Sequence, residues 1–175
     1  MKNREENERN RAVSDGTSGS PSDEIAATVP DVIWTRILSV YGPYDNVYTM
    51  VSEALQAFTT GEHFATTKGD QIWDYLYSED AARAFYELAK SGRNRRIYVL
   101  GHGEERTLRS YIEAIRDAVD PNIQVGFGER PYNENQVMYL TADISALKED
   151  TGYSPETPFE TGIENTLNHL LKKDK

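Results

Sequence analysis

Tyr86 and Lys90 form the chain's single Tyr-x-x-x-Lys sequence, a pattern whose residue types could move protons. A helix would place the phenol and the ammonium on one face, where the positive charge lowers the pKa of the phenol. The predicted helix ends at once, at Ser91-Gly92, and no cofactor-binding loop precedes it. A lysine in a last helical turn is also ordinary charge placement. We therefore interpret the match as chance and predict no catalytic residue.

A second candidate is the glycine-containing segment Gly101–Arg106, which follows a predicted strand and opens a predicted helix. A phosphate-binding glycine loop occupies the same place in dinucleotide-binding folds. However, Arg106 stands where such a loop needs its third glycine for close packing. Glu104 and Glu105 would also occupy the positive end of the helix dipole and repel a pyrophosphate. The sequence favours a plain strand-to-helix turn.

The residue types give little support for metal or nucleophile chemistry. His63, His102 and His169 have no partner at metal-ligand spacing, and we interpret them as surface or loop residues. The chain has no cysteine, which excludes disulfides, thiolate metal sites and a Cys nucleophile. Neither a G-x-S-x-G elbow nor a G-x-x-x-x-G-K-S/T phosphate loop is present. We predict no metal site.

Composition and charge restrict the partners. The net charge of −10 disfavours nucleic acid and anionic membranes. No apolar run reaches the roughly 20 residues of a spanning helix, and no signal peptide follows the charged N-terminus. Together with the absence of cysteine, these features predict a cytoplasmic location. Residues 1–30 are polar, contain the Gly16–Pro21 linker sequence, and are predicted to be a disordered tail or linker.

The elements that would position any site begin near residue 31. Short apolar runs predict strands at 32–38, 74–77, 96–100, 123–127 and 136–141. Helical spacing and caps predict helices at 50–60, 78–90, 107–119 and 143–151. A last helix should begin with the capping box Thr157-Pro158-Phe159-Glu160. The order is mixed α/β.

Four segments between Ile33 and Leu171 carry motifs in a fixed order. They are Arg36–Pro43, Gly69–Ala82, Arg130–Asn133, and Ala142–Leu147 continued by Thr151–Pro155 and Phe159–Ile163. They are similar to R-x-x-N-V-Y-G-P, to G-x-G-x-x-R-D-Y-I-H-V-x-D-x-A, to R-P-G-D, and to A-D-x-S-K-x-x-x-x-L-G-W/Y-x-P followed by F-x-x-G-I/L. In these motifs the chain resembles the C-terminal, substrate-binding portion of the NAD-dependent nucleotide-sugar epimerase/dehydratase family, the extended short-chain dehydrogenases/reductases.

The resemblance implies an α/β fold: partial Rossmann-type sheet strands plus the small mixed α/β substrate-binding subdomain of that family. Val32–Leu38 and Arg96–Leu100 would be the sheet strands. Residues 31–175 would form the C-terminal region. The family's N-terminal half, which carries the NAD-binding glycine loop and the catalytic Tyr-x-x-x-Lys, has no counterpart in the chain. NAD or NADP would serve the complete family enzyme, and we expect none to be bound by this chain alone.

The resemblance also implies positions for a nucleotide-diphosphate sugar. Ser39 stands where the family has an Asn near the diphosphate, and a hydroxyl there can donate one hydrogen bond. Arg130 matches an arginine that pairs with diphosphate or ribose, and Asn133 replaces the Asp after it. Trp73 replaces a second diphosphate arginine and can stack on a base or sugar without bringing charge. Ile37 would offer its backbone near the nicotinamide of a bound cofactor.

Each of these residues also has an alternative interpretation that involves no substrate. Trp73 could be a core residue, Arg130 merely solvent-exposed, and Arg36 part of a structural ion pair. At the level of function, the chain is expected to be the substrate-binding portion of an enzyme that epimerises, dehydrates or reduces a nucleotide sugar. The alternatives are a non-catalytic nucleotide-sugar-binding or partner-docking module and an inactive gene fragment. Partners would include a separate N-terminal half or further copies of the chain.

Overall fold

The computed structural model describes residues 31–173. The strands are β1 (Trp34–Ile37), β2 (Ser39–Tyr41), β3 (Ala65–Thr66), β4 (Ile72–Trp73), β5 (Tyr75–Tyr77), β6 (Ile97–Leu100), β7 (Arg106–Thr107) and β8 (Gly126–Phe127). The helices are α1 (Met50–Thr60), α2 (Ser78–Ser91), α3 (Leu108–Val119), α4 (Ser145–Thr151) and α5 (Phe159–Lys173). The predicted α/β class is confirmed. The tail or linker predicted for residues 1–30 lies outside the described residues.

Helix ends follow the local chemistry of the sequence. Thr49 caps α1 by accepting a hydrogen bond from the Ser52 N–H, and Gly61 ends it in the left-handed region at φ 75°. Glycine reaches that region without the clash that a Cβ causes. Thr107 caps α3 in the same way, through the Ser110 N–H. Predicted helix boundaries at these residues are therefore confirmed.

The strands of the described residues form four two-stranded sheets. β1 pairs with β6, β2 with β5 and β3 with β8, all in parallel, while β4 pairs antiparallel with β7. The strand predicted at 74–77 forms as β5, one residue shorter, and Asp74 separates it from β4 at the point where the chain changes from the β7 partner to the β2 partner. Of the strands predicted at 123–127 and 136–141, only β8 and a single bridge from Ile72 to Tyr139 form.

Two apolar cores hold these elements. The first lies between α1, α3 and α5 and includes the buried residues Tyr41, Tyr77, Ile112 and Ile163. The second lies between β6, α2 and α4. The two cores lie on opposite faces of β5, where successive side chains alternate in direction. Tyr75 and Tyr77 face the first core, and Leu76 faces the second.

Candidate functional site

Ser39 and Trp73 are brought together by the structure. They lie 34 residues apart in sequence, yet the Trp73 indole Nε1–H donates a 2.7 Å hydrogen bond to the Ser39 Oγ. Both side chains are half-buried, and Trp73 also packs against the first core. This packing agrees with the core interpretation of Trp73, and its contact with a substrate stays a prediction. The Ser39 hydroxyl keeps its own proton for donation, because it is the acceptor in this pair.

The surface behind Trp73 is built from tyrosines that stay protonated. The rings of Tyr75 and Tyr111 meet edge to face at 5.0 Å, and the Tyr111 hydroxyl donates to the Trp73 carbonyl at 3.5 Å. Burial raises the pKa of Tyr75, and the nearby Tyr111 adds to the rise. Burial also raises the pKa of Tyr111, with Asp74 adding to it. Neither phenol is suited to proton transfer near neutral pH.

Arg130 and Asn133 lie on the exposed segment that follows β8. The Arg130 N–H donates to the Thr66 carbonyl at 3.1 Å, which ties this segment to β3. Within the described chain, the Arg130 guanidinium makes no ion pair. The Asn133 Oδ1 accepts a 2.9 Å hydrogen bond from the Asn135 N–H and so shapes a local turn. Neither side chain hydrogen-bonds to the Ser39–Trp73 pair, but the Arg130 cation is available to an anion.

Ile37 ends β1 at an incomplete sheet. Trp34 is 67% exposed, Ile37 51% and Ile97 50%. The register pairs Trp34 with Ile97, so these two side chains share one face of the β1–β6 sheet. The other face carries the buried Tyr98 and Leu100 against the second core. Parallel sheets normally have both faces covered, so one face here lacks a cover within the described residues.

Arg36 shows the same open face. The sequence interpretation made Arg36 part of a structural ion pair, and this is wrong. Its side chain is exposed and makes no ion pair in residues 31–173. Arg36 lies two residues from Trp34, so both point to the uncovered face of the sheet. The carboxylates that pair with Arg93 and Arg96 belong to α4, on the covered side.

Asp74 is the residue that sequence reasoning missed. Its side chain is completely buried, at 0% exposure. Its Oδ1 accepts from the His102 N–H at 2.8 Å, and its Oδ2 accepts from the Gly103 N–H at 2.8 Å and the Ala142 N–H at 3.1 Å. A carboxylate inside the protein therefore takes the donors of the Gly101–Arg106 turn. Two sequence signals could have found it: an aspartate within an otherwise apolar strand, and its match to the D of the R-D-Y motif that this segment resembles.

The residues present do not fit a dinucleotide. The turn that could cradle a pyrophosphate is occupied by Asp74, and Glu104 and Glu105 are exposed beside it. Tyr86 is 63% exposed on α2, and the Lys90 ammonium is paired with Glu87 at 3.1 Å. Hydride chemistry needs a bound nicotinamide, and we derive no step through one for this chain.

Two further sequence interpretations are corrected by polar contacts. The capping box at Thr157 and Glu160 does not form. The buried Asp80 accepts the Thr157 N–H at 2.9 Å, and Glu160 instead accepts from Arg106 at 2.9 Å. The second is the cap predicted for the helix at 78–90, because α2 starts without a side-chain cap. The capping groups predicted from local spacing are used for long-range contacts.

The histidines differ from the prediction at one position. His63 pairs with Glu129 at 2.7 Å on the surface, and His102 lies in the turn after β6. His169 is neither a surface nor a loop residue, because it lies on α5 with a buried Nε2. No group of three or more possible metal ligands occurs in the described residues. No helix in that part of the chain combines the length and apolar character needed to cross a membrane.

Comparison with known sequences finds a family model that matches part of the chain. Residues 25–101 match the model of the NAD dependent epimerase/dehydratase family. Over 154 residues the chain is 27% identical to the dTDP-glucose 4,6-dehydratase of Shigella flexneri, a match that covers 82% of this chain and 41% of that protein. The CDP-abequose synthase of Salmonella muenchen is 25% identical over 142 residues, with 79% and 48% covered. The chain therefore spans less than half the length of these relatives.

Solved structures agree on the fold. The UDP-glucose 4-epimerase of Thermotoga maritima, solved with UDP-glucose, superposes with a TM-score of 0.76 at 21% identity. The superposition covers 83% of this chain and 47% of that one. At this identity the likeness shows the fold alone. The expected architecture, strands of a Rossmann-type sheet with a smaller mixed α/β part, is confirmed.

Proposed function

We propose that the chain, whose residues 25–101 match the model of the NAD dependent epimerase/dehydratase family and which is 27% identical to a dTDP-glucose 4,6-dehydratase over 154 residues, is the substrate-binding part of an enzyme acting on a nucleotide-diphosphate sugar. The observation that supports this most is the Ser39–Trp73 hydrogen bond of 2.7 Å. It joins two positions for which the resemblance to the family motifs implies contact with the substrate. In this proposal the chain holds and orients substrate, and the cofactor and catalytic residues come from elsewhere.

In this proposal, substrate binding rests on stacking against an aromatic ring, one hydrogen bond and one positive charge. Trp73 offers a half-buried ring for a base or sugar, and stacking of a base on an aromatic ring contributes about 1–3 kcal/mol. Ser39 donates one hydrogen bond. Arg130 supplies the available cation, whose planar guanidinium matches phosphate oxygens. Asn133 lies close enough in sequence to Arg130 to contact the ribose. With Trp73 in place of an arginine, binding should depend less on the diphosphate charge.

The open β1–β6 sheet supports a docking partner. Trp34 N–H donates to the Arg96 carbonyl and Leu38 N–H to the Leu100 carbonyl. Alternate residues of a parallel strand bond to one neighbour, so the N–H and C=O groups of Thr35 and Ile37 point to the outer edge. A strand added at this edge and a helix on the Trp34 face would complete the sheet and cover its open face. We propose that a separate NAD-binding half docks there.

Substrate binding can be tested by calorimetric titration of the chain with dTDP-, UDP-, CDP- and GDP-glucose. We expect saturable binding of at least one of them. Arg130→Ala should weaken it about tenfold, the value of one charge-assisted contact of about 1.4 kcal/mol. Arg95→Ala, which removes another exposed arginine, is the matched control and should leave binding unchanged. Equal affinities of the two variants would contradict the assignment of Arg130, and no binding of any nucleotide sugar would support the inactive-fragment alternative.

Docking can be tested by co-expression with the amino-terminal part of the Shigella flexneri dehydratase, the part outside the match. We expect the two chains to copurify. Thr35→Pro should abolish this, because it removes an N–H on the outer edge while the bonds of Trp34 and Leu38 to β6 remain. Thr35→Ala serves as the control, because it changes the same side chain and keeps the backbone N–H. Copurification with Thr35→Pro would refute docking at this edge.

A further inference from the structure

Arg106 stands directly opposite Trp73 in the structure. β4 pairs antiparallel with β7, and the register joins Trp73 to Arg106. Opposite side chains in an antiparallel pair project from one face of the sheet, with Cβ atoms about 4.5–5.5 Å apart. This face borders the first core, because Trp73 packs against that core and the Arg106 guanidinium lies over the Tyr111 ring, 4.7 Å from its centre. A cation therefore lies beside a candidate substrate residue.

Ser39 borders the same group of aromatic rings. The parallel register of β2 and β5 joins Ser39 to Tyr75, and the Tyr75 ring meets the Tyr111 ring at 5.0 Å. The Arg106 guanidinium also lies 5.7 Å from the centre of the Phe159 ring. Aromatic rings beneath a guanidinium hold it in place and leave its edge N–H groups free to donate. The Ser39 hydroxyl and the Arg106 cation thus border one aromatic cluster.

The Arg106 guanidinium has donors left for a ligand. Its Nη1 donates to the Glu160 Oε1 at 2.9 Å, and its remaining N–H groups make no hydrogen bond within residues 31–173. An arginine carries five N–H donors in a planar fork that fits phosphate oxygens. The Arg106 side chain is 21% exposed and the Glu160 side chain 55%. A ligand in solvent can therefore reach this ion pair.

The alternative is that Arg106 only covers the core through its ion pair with Glu160. The charge at the site favours a binding role, because Trp73 brings no charge where the resemblance implies an arginine for the diphosphate, and Arg106 places a cation opposite that position. We infer that Arg106 binds the diphosphate of the substrate as a second cation beside Arg130, in competition with Glu160. This role rests on the proposed function, and Arg106 itself lies outside the four motif segments.

The test follows the binding of dTDP-, UDP-, CDP- and GDP-glucose to the full chain by calorimetry, since these probes share the diphosphate and differ in the base. Arg106→Gln should weaken the most tightly bound probe about tenfold, the value of one charge-assisted contact. Glu160→Gln should tighten it about threefold, because the carboxylate of an exposed ion pair no longer competes for the guanidinium. A purely structural ion pair would give weaker or unchanged binding in both variants.

The pair of Arg83 and Glu156 provides matched controls. Arg83 likewise donates to a glutamate and lies over an aromatic ring, that of Tyr153, at 5.8 Å. Tyr153 belongs to the second core, away from the candidate substrate residues. Arg83→Gln and Glu156→Gln should each leave the affinity for the probe within about twofold of the wild type.

Salt gives a readout that a packing defect would not change. The loss in Arg106→Gln should shrink from about tenfold to about threefold when NaCl rises from about 0.05 M to about 0.5 M, because salt screens the attraction between guanidinium and phosphate. The inference is overturned if Arg106→Gln binds as the wild type does, if Glu160→Gln fails to tighten binding, or if the loss is independent of salt. In those cases a probe still binds and the proposed function stands, whereas a wild type that binds no probe overturns both.

Discussion

Replacing Asp74 by asparagine tests how the fold is held around the turn after β6. The carboxylate is completely buried and accepts three backbone hydrogen bonds, from His102, Gly103 and Ala142. An asparagine keeps one acceptor oxygen and turns the other position into an NH₂ donor facing a backbone N–H. Hydrogen bonds to a charged group contribute about 1.5–3 kcal/mol, and each unsatisfied buried donor costs about 1–3 kcal/mol. We expect Asp74→Asn to lower the free energy of unfolding by about 2–4 kcal/mol.

The assay is urea unfolding at pH 7, with the midpoint and slope fitted separately. Asp143→Asn is the matched control, because Asp143 is exposed and its Oδ1 accepts one local bond from the Ser145 N–H at 3.0 Å. An asparagine oxygen can keep that bond, so the control should lose less than about 0.5 kcal/mol. If Asp74→Asn also lost less than about 0.5 kcal/mol, the three-bond account of the turn would be wrong.

Three further changes have defined outcomes. Trp73→Phe and Ser39→Ala should each cost about 1 kcal/mol of unfolding free energy, and the double variant should cost less than their sum, because both remove the same hydrogen bond. Gly162→Ala should cost about 1–3 kcal/mol in the same assay, since a Cβ there would stand 2.1 Å from the Tyr41 hydroxyl. Burial raises the pKa of Tyr75, so its contribution to stability is full below the unfolded pKa of about 10 and falls above it by about 1.4 kcal/mol per pH unit. Tyr75→Phe should flatten the fall measured between pH 10 and 11 by about 1 kcal/mol, because the unfolded phenol is only half ionised at pH 10 and the full slope is reached above pH 11; an unchanged slope would contradict it.

Elements marked by local chemistry could be predicted from the sequence. The helix from Met50 to Thr60 shows its cap at Thr49 and its end at Gly61, because a hydroxyl and a glycine act within one turn. The parallel pair of β1 and β6 was visible as two apolar runs, although their pairing came only from the family resemblance. The prediction of a strand at 136–141 is wrong, because this segment makes only one isolated bridge, from Tyr139 to Ile72.

The contacts that shape the site could not be predicted from local patterns. Asp74 binds groups 28, 29 and 68 residues away in sequence, and Asp80 binds groups 76 and 77 residues away. A carboxylate near a helix start resembles a cap whether it caps or not. The Ser39–Trp73 pair likewise needs the fold, since only the parallel register of β2 and β5 brings the two segments together.

The measurement that most directly tests the central claim is calorimetric titration of NAD into the isolated chain, alone and saturated with dTDP-glucose. Because Asp74 fills the glycine turn and Lys90 is paired with Glu87, we predict no saturable heat of NAD binding in either case. One-to-one binding of NAD by this chain, with Tyr86 perturbed on binding, would contradict the account.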